Sequence, residues 1–201
     1  MLDLVSAGQR VGVLDGIVPI ADSSRITIKA LAAGGRFVLR LSPGFLPGIA
    51  RLAGMDLTMP VNRSFQSGGR IAARLGPDEW MLIVSDADLA VVSSEASAQL
   101  SGVHHALVDI SHRNIAIEVS GTAAADVLNV GCPLDLTSDR FAPGHASRTL
   151  LGKAEVVVMR LSDSIDADHN PMPRYRIECW RSFGRYLHGV LAEAAREHQT
   201  R

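Results

Sequence analysis

Between Leu107 and Leu136 the chain spells out a strand, a second strand, a short helix and a cysteine-proline stop, and this stretch constrains the fold more than any other. Ile115, Ile117 and Val119 alternate with Asn114, Ala116 and Glu118, the period of a β-strand with two unlike faces. Ser120-Gly121 breaks the strand. Ser120 or Thr122 is expected to cap a helix whose apolar side is Ala124, Val127 and Leu128. Gly131 closes that helix, and Pro133 bars its return because proline cannot donate the next backbone hydrogen bond.

The same order, strand–helix–strand–strand–helix, can be read twice, over 36–100 and over 114–197. Arg36 to Leu41 is a clean strand, and a short helix is predicted over Leu46 to Ala53, with Pro47 in its first turn. Asp56 to Gly69 reads as a loop, followed by a hairpin of Arg70–Leu75 and Glu79–Val84 about the turn Gly76-Pro77-Asp78. Ser85 with Asp88 three residues on forms a capping-box pattern ahead of a helix striped by Leu89, Val92, Ala96 and Leu100. His104 to Ile110 opens the second half.

After the 114–133 unit come a loop at Pro143-Gly144, a strand region from Ser147 to Leu161, and a polar excursion, Ser162 to Pro173. A strand from Arg174 to Trp180 then sets Tyr175, Ile177 and Cys179 against Arg174, Arg176 and Glu178. A last helix, 182–197, has Phe183, Tyr186, Leu187, Val190, Leu191 and Ala194 on one face at the helical period.

Two short echoes support duplication. Met55-Asp56-Leu57-Thr58 resembles Leu134-Asp135-Leu136-Thr137. Leu75-Gly76-Pro77-Asp78-Glu79 resembles Leu151-Gly152-Lys153-Ala154-Glu155. The expected fold is therefore α+β, two similar lobes whose sheets face each other because neither can bury its apolar side alone. The first lobe spans about 35–103 and the second about 104–201, preceded by an extended arm and first strand over 1–34, where Gly12, Gly16 and Pro19 interrupt the apolar residues.

Composition narrows the function. The net charge of −1 gives no basic surface for nucleic acid or membrane. Eighteen arginines stand against two lysines, Lys29 and Lys153, a bias that suits protein interfaces as well as genome composition. No window reaches the ~20 apolar residues of a membrane span. The start lacks a signal-peptide pattern, and Cys132 and Cys179 form no C-x-x-C pair, so a cytoplasmic protein with two core thiols is expected.

Groups that could carry chemistry fail one by one. Gly152-Lys153 lacks the earlier glycine and the following hydroxyl of a phosphate loop. Asp163, Asp166, Asp168 and His169 cluster donors, yet Pro171 and Ile177 stand where a calcium loop needs glycine and glutamate. Ser111 and His112 are adjacent on an expected strand and point to opposite faces, which is wrong for a triad. Nothing beside Cys132 would lower its pKa. No catalytic, cofactor-binding or metal-binding residue is expected. His112, Arg113, Trp180 and Arg181 remain as candidates for contact with another subunit.

Four blocks then matter together: Asp109-Ile110-Ser111-His112-Arg113, Gly131-Cys132-Pro133-Leu134-Asp135-Leu136, Thr149 to Val156, and Trp180-Arg181-Ser182-Phe183. In this order and spacing the chain resembles the gamma subunit of bacterial heterotetrameric sarcosine oxidase. The resemblance implies a fold similar to the folate-binding domain of glycine-cleavage aminomethyltransferases. It also implies a complex with alpha, beta and delta subunits that oxidises sarcosine to glycine, makes hydrogen peroxide and passes the one-carbon unit to tetrahydrofolate. FAD, FMN, NAD, zinc and the folate site belong, on this resemblance, to the partners, and the gamma chain is a non-catalytic structural subunit. The equivalent subunit of N-methylglutamate dehydrogenase is the near alternative. A stand-alone folate-binding protein is the distant one, and it would need an acid and an arginine converging between the lobes.

Overall fold

The computed structural model describes residues 12–22 and 25–198; the expectations for the first eleven residues lie outside these. The first lobe is built from β3 (Gly34–Leu41), the small hairpin β4 (Arg51–Leu52) and β5 (Met55–Asp56), β6 (Arg63–Ser67), β7 (Arg70–Arg74), β8 (Glu79–Ser85) and helix α1 (Leu89–Gln99). The second consists of β10 (Asn114–Ser120), helix α2 (Ala124–Asn129), β11 (Ala146–Leu151), β12 (Ala154–Ile165), β13 (Pro171–Trp180) and helix α3 (Gly184–Ala195). Two short strands, β1 (Ile20–Asp22) and β2 (Ile26–Ala30), precede them, and β9 (His105–Asp109) lies between them in sequence.

The duplication holds in the strand order. One sheet runs β6-β7-β8-β3-β9 and the other β11-β12-β13-β10-β2-β1, so four strands of each lobe are arranged alike. The fifth strand is exchanged: β2 leads into β3 but pairs with β10, and β9 leads into β10 but pairs with β3. The exchange ties the lobes together.

Alternation along the strands sorts side chains into layers. Phe37, Leu39, Trp80, Leu82 and Val84 meet Val92 and Ala96 of α1, and Leu100 just past its end, on the outside of the first sheet. Ile117, Val119, Val158, Tyr175 and Ile177 meet Val127 and Leu128 of α2 and Leu187 and Leu191 of α3 on the outside of the second. Between the sheets lie Ile71, Met81, Ile83, Val157, Met159 and Leu161. At about 1.5–3 kcal/mol for each fully buried aliphatic side chain, this inner layer is a substantial glue. Along one margin the sheets are also stitched, with Ser64 N donating to Gly144 O (2.7 Å) and Ala146 N to Asn62 O (3.0 Å).

The Asp-Leu-Thr echo marks equivalent places. In each copy the aspartate Oδ1 accepts from the threonine N–H and hydroxyl two residues on, at 2.8 and 2.7 Å for Asp56 and 3.0 and 2.7 Å for Asp135. These bonds, the threonine hydroxyl first, hold both carboxyls below their usual range. The carbonyl of the intervening leucine turns inward. Leu57 O accepts from Trp80 Nε1 (3.1 Å), and Leu136 O accepts from the Tyr175 hydroxyl (2.5 Å). Each ring lies under an arginine of the neighbouring strand, Arg74 at 4.9 Å and Arg160 at 5.0 Å from the centroid.

The other echo is not structural. Leu75–Glu79 turns between β7 and β8, whereas Leu151–Glu155 turns between β11 and β12, the counterpart of the β6–β7 turn. Both are tight turns between antiparallel strands, and turn chemistry alone makes them alike.

Three local expectations are corrected. No helix forms over 46–53: a 3-10 turn at Pro43–Phe45 is followed by the β4–β5 hairpin, because Pro43 and Pro47 lack a backbone donor and Gly44 and Gly48 are poor helix formers. Its turn, Ala53-Gly54, has φ of 46° and 79°, and Ala53 is clamped there by Gln99 Oε1 on its N–H and by Arg70 Nη1 on its carbonyl. The supposed loop 56–69 contains β6, whose Arg-Ser-Phe-Gln-Ser pattern hides it. Finally, neither Ser120 nor Thr122 caps α2; the cap position is Ala123, whose N–H donates to Arg25 O (2.9 Å). The polar excursion of 162–173 is the far end of the β12–β13 hairpin, closed by Asp166 Oδ1 accepting from Asp168 N and Asn170 N.

Candidate functional site

Where β9 crosses to β10, four residues make a corner. Ile110 N donates to Arg36 O (2.8 Å), Arg113 N to Ile110 O (2.9 Å), and Ser111 N to Asp109 Oδ1 (2.8 Å). The turn places Asn114 opposite Trp180 in the β10–β13 pairing, and Arg181 N donates to Arg113 O (2.7 Å). The Arg113 guanidinium lies 5.7 Å from the Trp180 ring centroid while its Nε donates to Asn114 Oδ1 (3.1 Å). The chain thus brings His112, Arg113, Trp180 and Arg181 together, and all four are exposed, Trp180 by 49%.

Behind this corner, buried glutamates bridge pairs of cations. Glu178 receives Arg36 Nε on one oxygen (2.7 Å) and Arg176 Nε on the other (2.8 Å), joining β13 to β3 across the lobes. Glu79 receives Arg148 and Arg40, joining β8 to β11. Glu118 receives Arg174 (2.6 Å) and Lys29 (3.0 Å). Burial pushes the Glu118 carboxyl up, but the hydrogen bonds from Arg174 and Lys29 win and hold it below its ordinary range. A cavity of about 210 Å³ between the lobes is lined by Val38, Glu79, Met81, Arg148, Glu178 and Trp180, among others. These glutamates were not singled out by sequence reasoning. The signal was present in the strand patterns, where Glu118 and Glu178 sit on a face that should be either wet or paired.

The other groups are structural. Ser111 and His112 lie in the turn between β9 and β10 rather than on a strand, and Ser111 Oγ is buried and accepts from Arg36 N (2.9 Å). Cys132 is buried, its sulfur 3.8 Å from Thr149 Oγ1. Burial pushes the Cys179 thiol up to about 12, far from reactive. Gly152-Lys153 is the β11–β12 turn, with Lys153 N donating to Tyr186 Oη (2.9 Å). Asp163 is paired with Arg160, and among the described residues no three His, Cys, Asp or Glu side chains converge as a metal site would require. No helix among them is long and apolar enough to cross a membrane.

The geometry can now be set beside known proteins. The sarcosine oxidase subunit gamma of Arthrobacter sp. is 27% identical over 141 residues, 69% of this chain and 68% of that protein. Its counterpart from Corynebacterium sp. (strain P-1) is 28% identical over 72% of this chain and 66% of its own length. In structure, a chain of the heterotetrameric sarcosine oxidase from Corynebacterium sp. U-96 in complex with pyrrole 2-carboxylate superposes with a TM-score of 0.78 at 24% identity, covering 91% of this chain and 90% of that one. Glycine cleavage system aminomethyltransferase T from Bartonella henselae gives 0.65 at 11% identity, covering 89% of this chain but only 48% of its own, so the two-lobed fold is similar to that of about half of that protein. Residues 41–197, most of the chain, match the family of sarcosine oxidase gamma subunits, and this protein belongs to it.

Proposed function

We propose that the chain is the structural, non-catalytic gamma subunit of a cytoplasmic heterotetrameric sarcosine oxidase. On this reading alpha, beta and delta subunits hold FAD, FMN, NAD, zinc and tetrahydrofolate. Oxidation of sarcosine to glycine, peroxide formation and methylene-tetrahydrofolate formation occur on them. The observation that carries the reading is the content of the inter-lobe layer. A folate-gripping cleft would offer an acid and an arginine to a ligand; here Glu178 and Arg36 converge but are spent on each other, and Arg176 takes the second carboxylate oxygen. The chain's useful chemistry is then shape and surface, and the exposed corner of His112, Arg113, Trp180 and Arg181 is its contact with a partner.

The test is a comparison of the purified chain with the complex recovered through it from its host. The complex is expected to be flavin-coloured and to release peroxide with sarcosine, and the isolated chain to do neither and to leave tetrahydrofolate unbound. Peroxide formation or saturable micromolar folate binding by the isolated chain would overturn the reading. Turnover of N-methylglutamate in place of sarcosine would move the same structural role to the related dehydrogenase.

A further inference from the structure

The two margins of the molecule are unlike. On one, β6 and β11 close the gap between the sheets with backbone hydrogen bonds. On the other, β9 is the last strand of its sheet, and no strand among the described residues pairs with its outer side. Because Ile110 N–H points at Arg36 O on β3, the antiparallel alternation turns the backbone groups of His105, Leu107 and Asp109 outward. An edge of this kind is ordinarily guarded by lysine, proline or a bulge. His-Ala-Leu-Val-Asp has none of these, and Val108 is 52% exposed on it.

The edge runs straight into the corner where Arg113 covers the exposed Trp180, with His112 and Arg181 beside it. Arg113 is an exposed cation of this corner: its Nε donates to Asn114 Oδ1 and its guanidinium lies over the Trp180 ring, and among the described residues no carboxylate pairs with it. A strand laid against β9 would satisfy the outward backbone groups, place a side chain over Val108, and bring its end to Arg113.

Building on the subunit reading above, we propose that β9 is a docking strand: an extended, carboxylate-bearing segment of a partner subunit adds to the first sheet along β9 and anchors at the Trp180–Arg113 corner.

The experiment is co-expression of the full chain with its native complex and measurement of the fraction of chain recovered in the flavin-containing assembly. Val108→Lys puts a guarding charge on the edge, and Leu107→Pro removes an outward N–H while leaving the β3 ladder intact. Arg113→Glu reverses the corner charge. Each is expected to lower recovery at least tenfold, with thermal melting of Val108→Lys and Arg113→Glu unchanged. Val91→Lys, on α1 with the same 52% exposure, is expected to assemble normally. Normal assembly of Val108→Lys and Arg113→Glu overturns the inference while leaving the subunit reading intact. Failure of the unaltered chain to enter any flavin-containing assembly overturns both. A chain that dimerises alone and becomes monomeric as Val108→Lys would show the edge to pair with a second copy, and also overturns it.

Discussion

The two lobes share one topology but face each other with different chemistry. Aligning Trp80 with Tyr175 on their third strands makes Ile83 the counterpart of Glu178, Met81 of Arg176, and, through the strand pairings, Val38 of Glu118. At these positions the first lobe is apolar and the second charged, although Arg36 and Glu79 of the first lobe and Val157 and Met159 of the second face the same gap, while the outer faces of both remain apolar. Duplication preserved what each lobe needs to fold. The inner surface, where the two had to fit each other, diverged. A buried carboxylate is tolerable there only because two cations reach each one.

Breaking the charged side should cost most. Glu178→Ala leaves Arg36 buried without its counter-charge, and a loss of about 3–5 kcal/mol in unfolding free energy is expected by denaturant titration. Ile83→Ala, its counterpart, should cost about 2–4 kcal/mol through the cavity alone. If the apolar change proves the larger, the charged layer is wetter than its geometry indicates. Next comes Tyr175→Phe, which strands the buried Leu136 carbonyl and should cost about 1–3 kcal/mol with no change in oligomeric state.

A smaller effect is expected in acid. Because the Glu118 carboxyl is held below its ordinary value, the unfolded chain takes up the proton first as pH falls. The stabilisation is complete above about pH 4.3 and is lost on descending through the folded value. Glu118→Gln should flatten this acid limb in a pH series of melts; an unaltered limb would assign acid sensitivity elsewhere. Smallest of all, Asp56→Asn and Asp135→Asn should lower Tm slightly and by the same amount, since the two turns are built alike. Unequal shifts would weaken the equivalence of the copies.

Much of this organisation was legible beforehand, for identifiable reasons. The β10–α2 unit and α3 announce themselves because one face of each is aliphatic, and the Asp-Leu-Thr echo survives because its hydrogen bonds demand those side chains. The β4–β5 hairpin imitates a helix in sequence because Leu46, Ile49, Leu52 and Ala53 are spaced helically even though the backbone turns at Ala53-Gly54. Strand β6 escaped because both its faces are partly wet. The exchange of β2 and β9 could not be read at all, since pairing between strands far apart in sequence leaves no trace in local alternation. His112, Arg113, Trp180 and Arg181 stood out singly; only the β10–β13 register shows them as neighbours.

A chain that shapes a complex without reacting itself can be tested directly by one measurement. Sarcosine-dependent peroxide production should be followed for the isolated chain, for the complex, and for the complex assembled with Arg113→Glu in place of the unaltered chain. The prediction is no activity from the chain alone, full activity per assembled complex in both cases, and a lower yield of assembled complex with the variant. Peroxide from the isolated chain, or a variant that assembles normally yet turns over slowly, would contradict it.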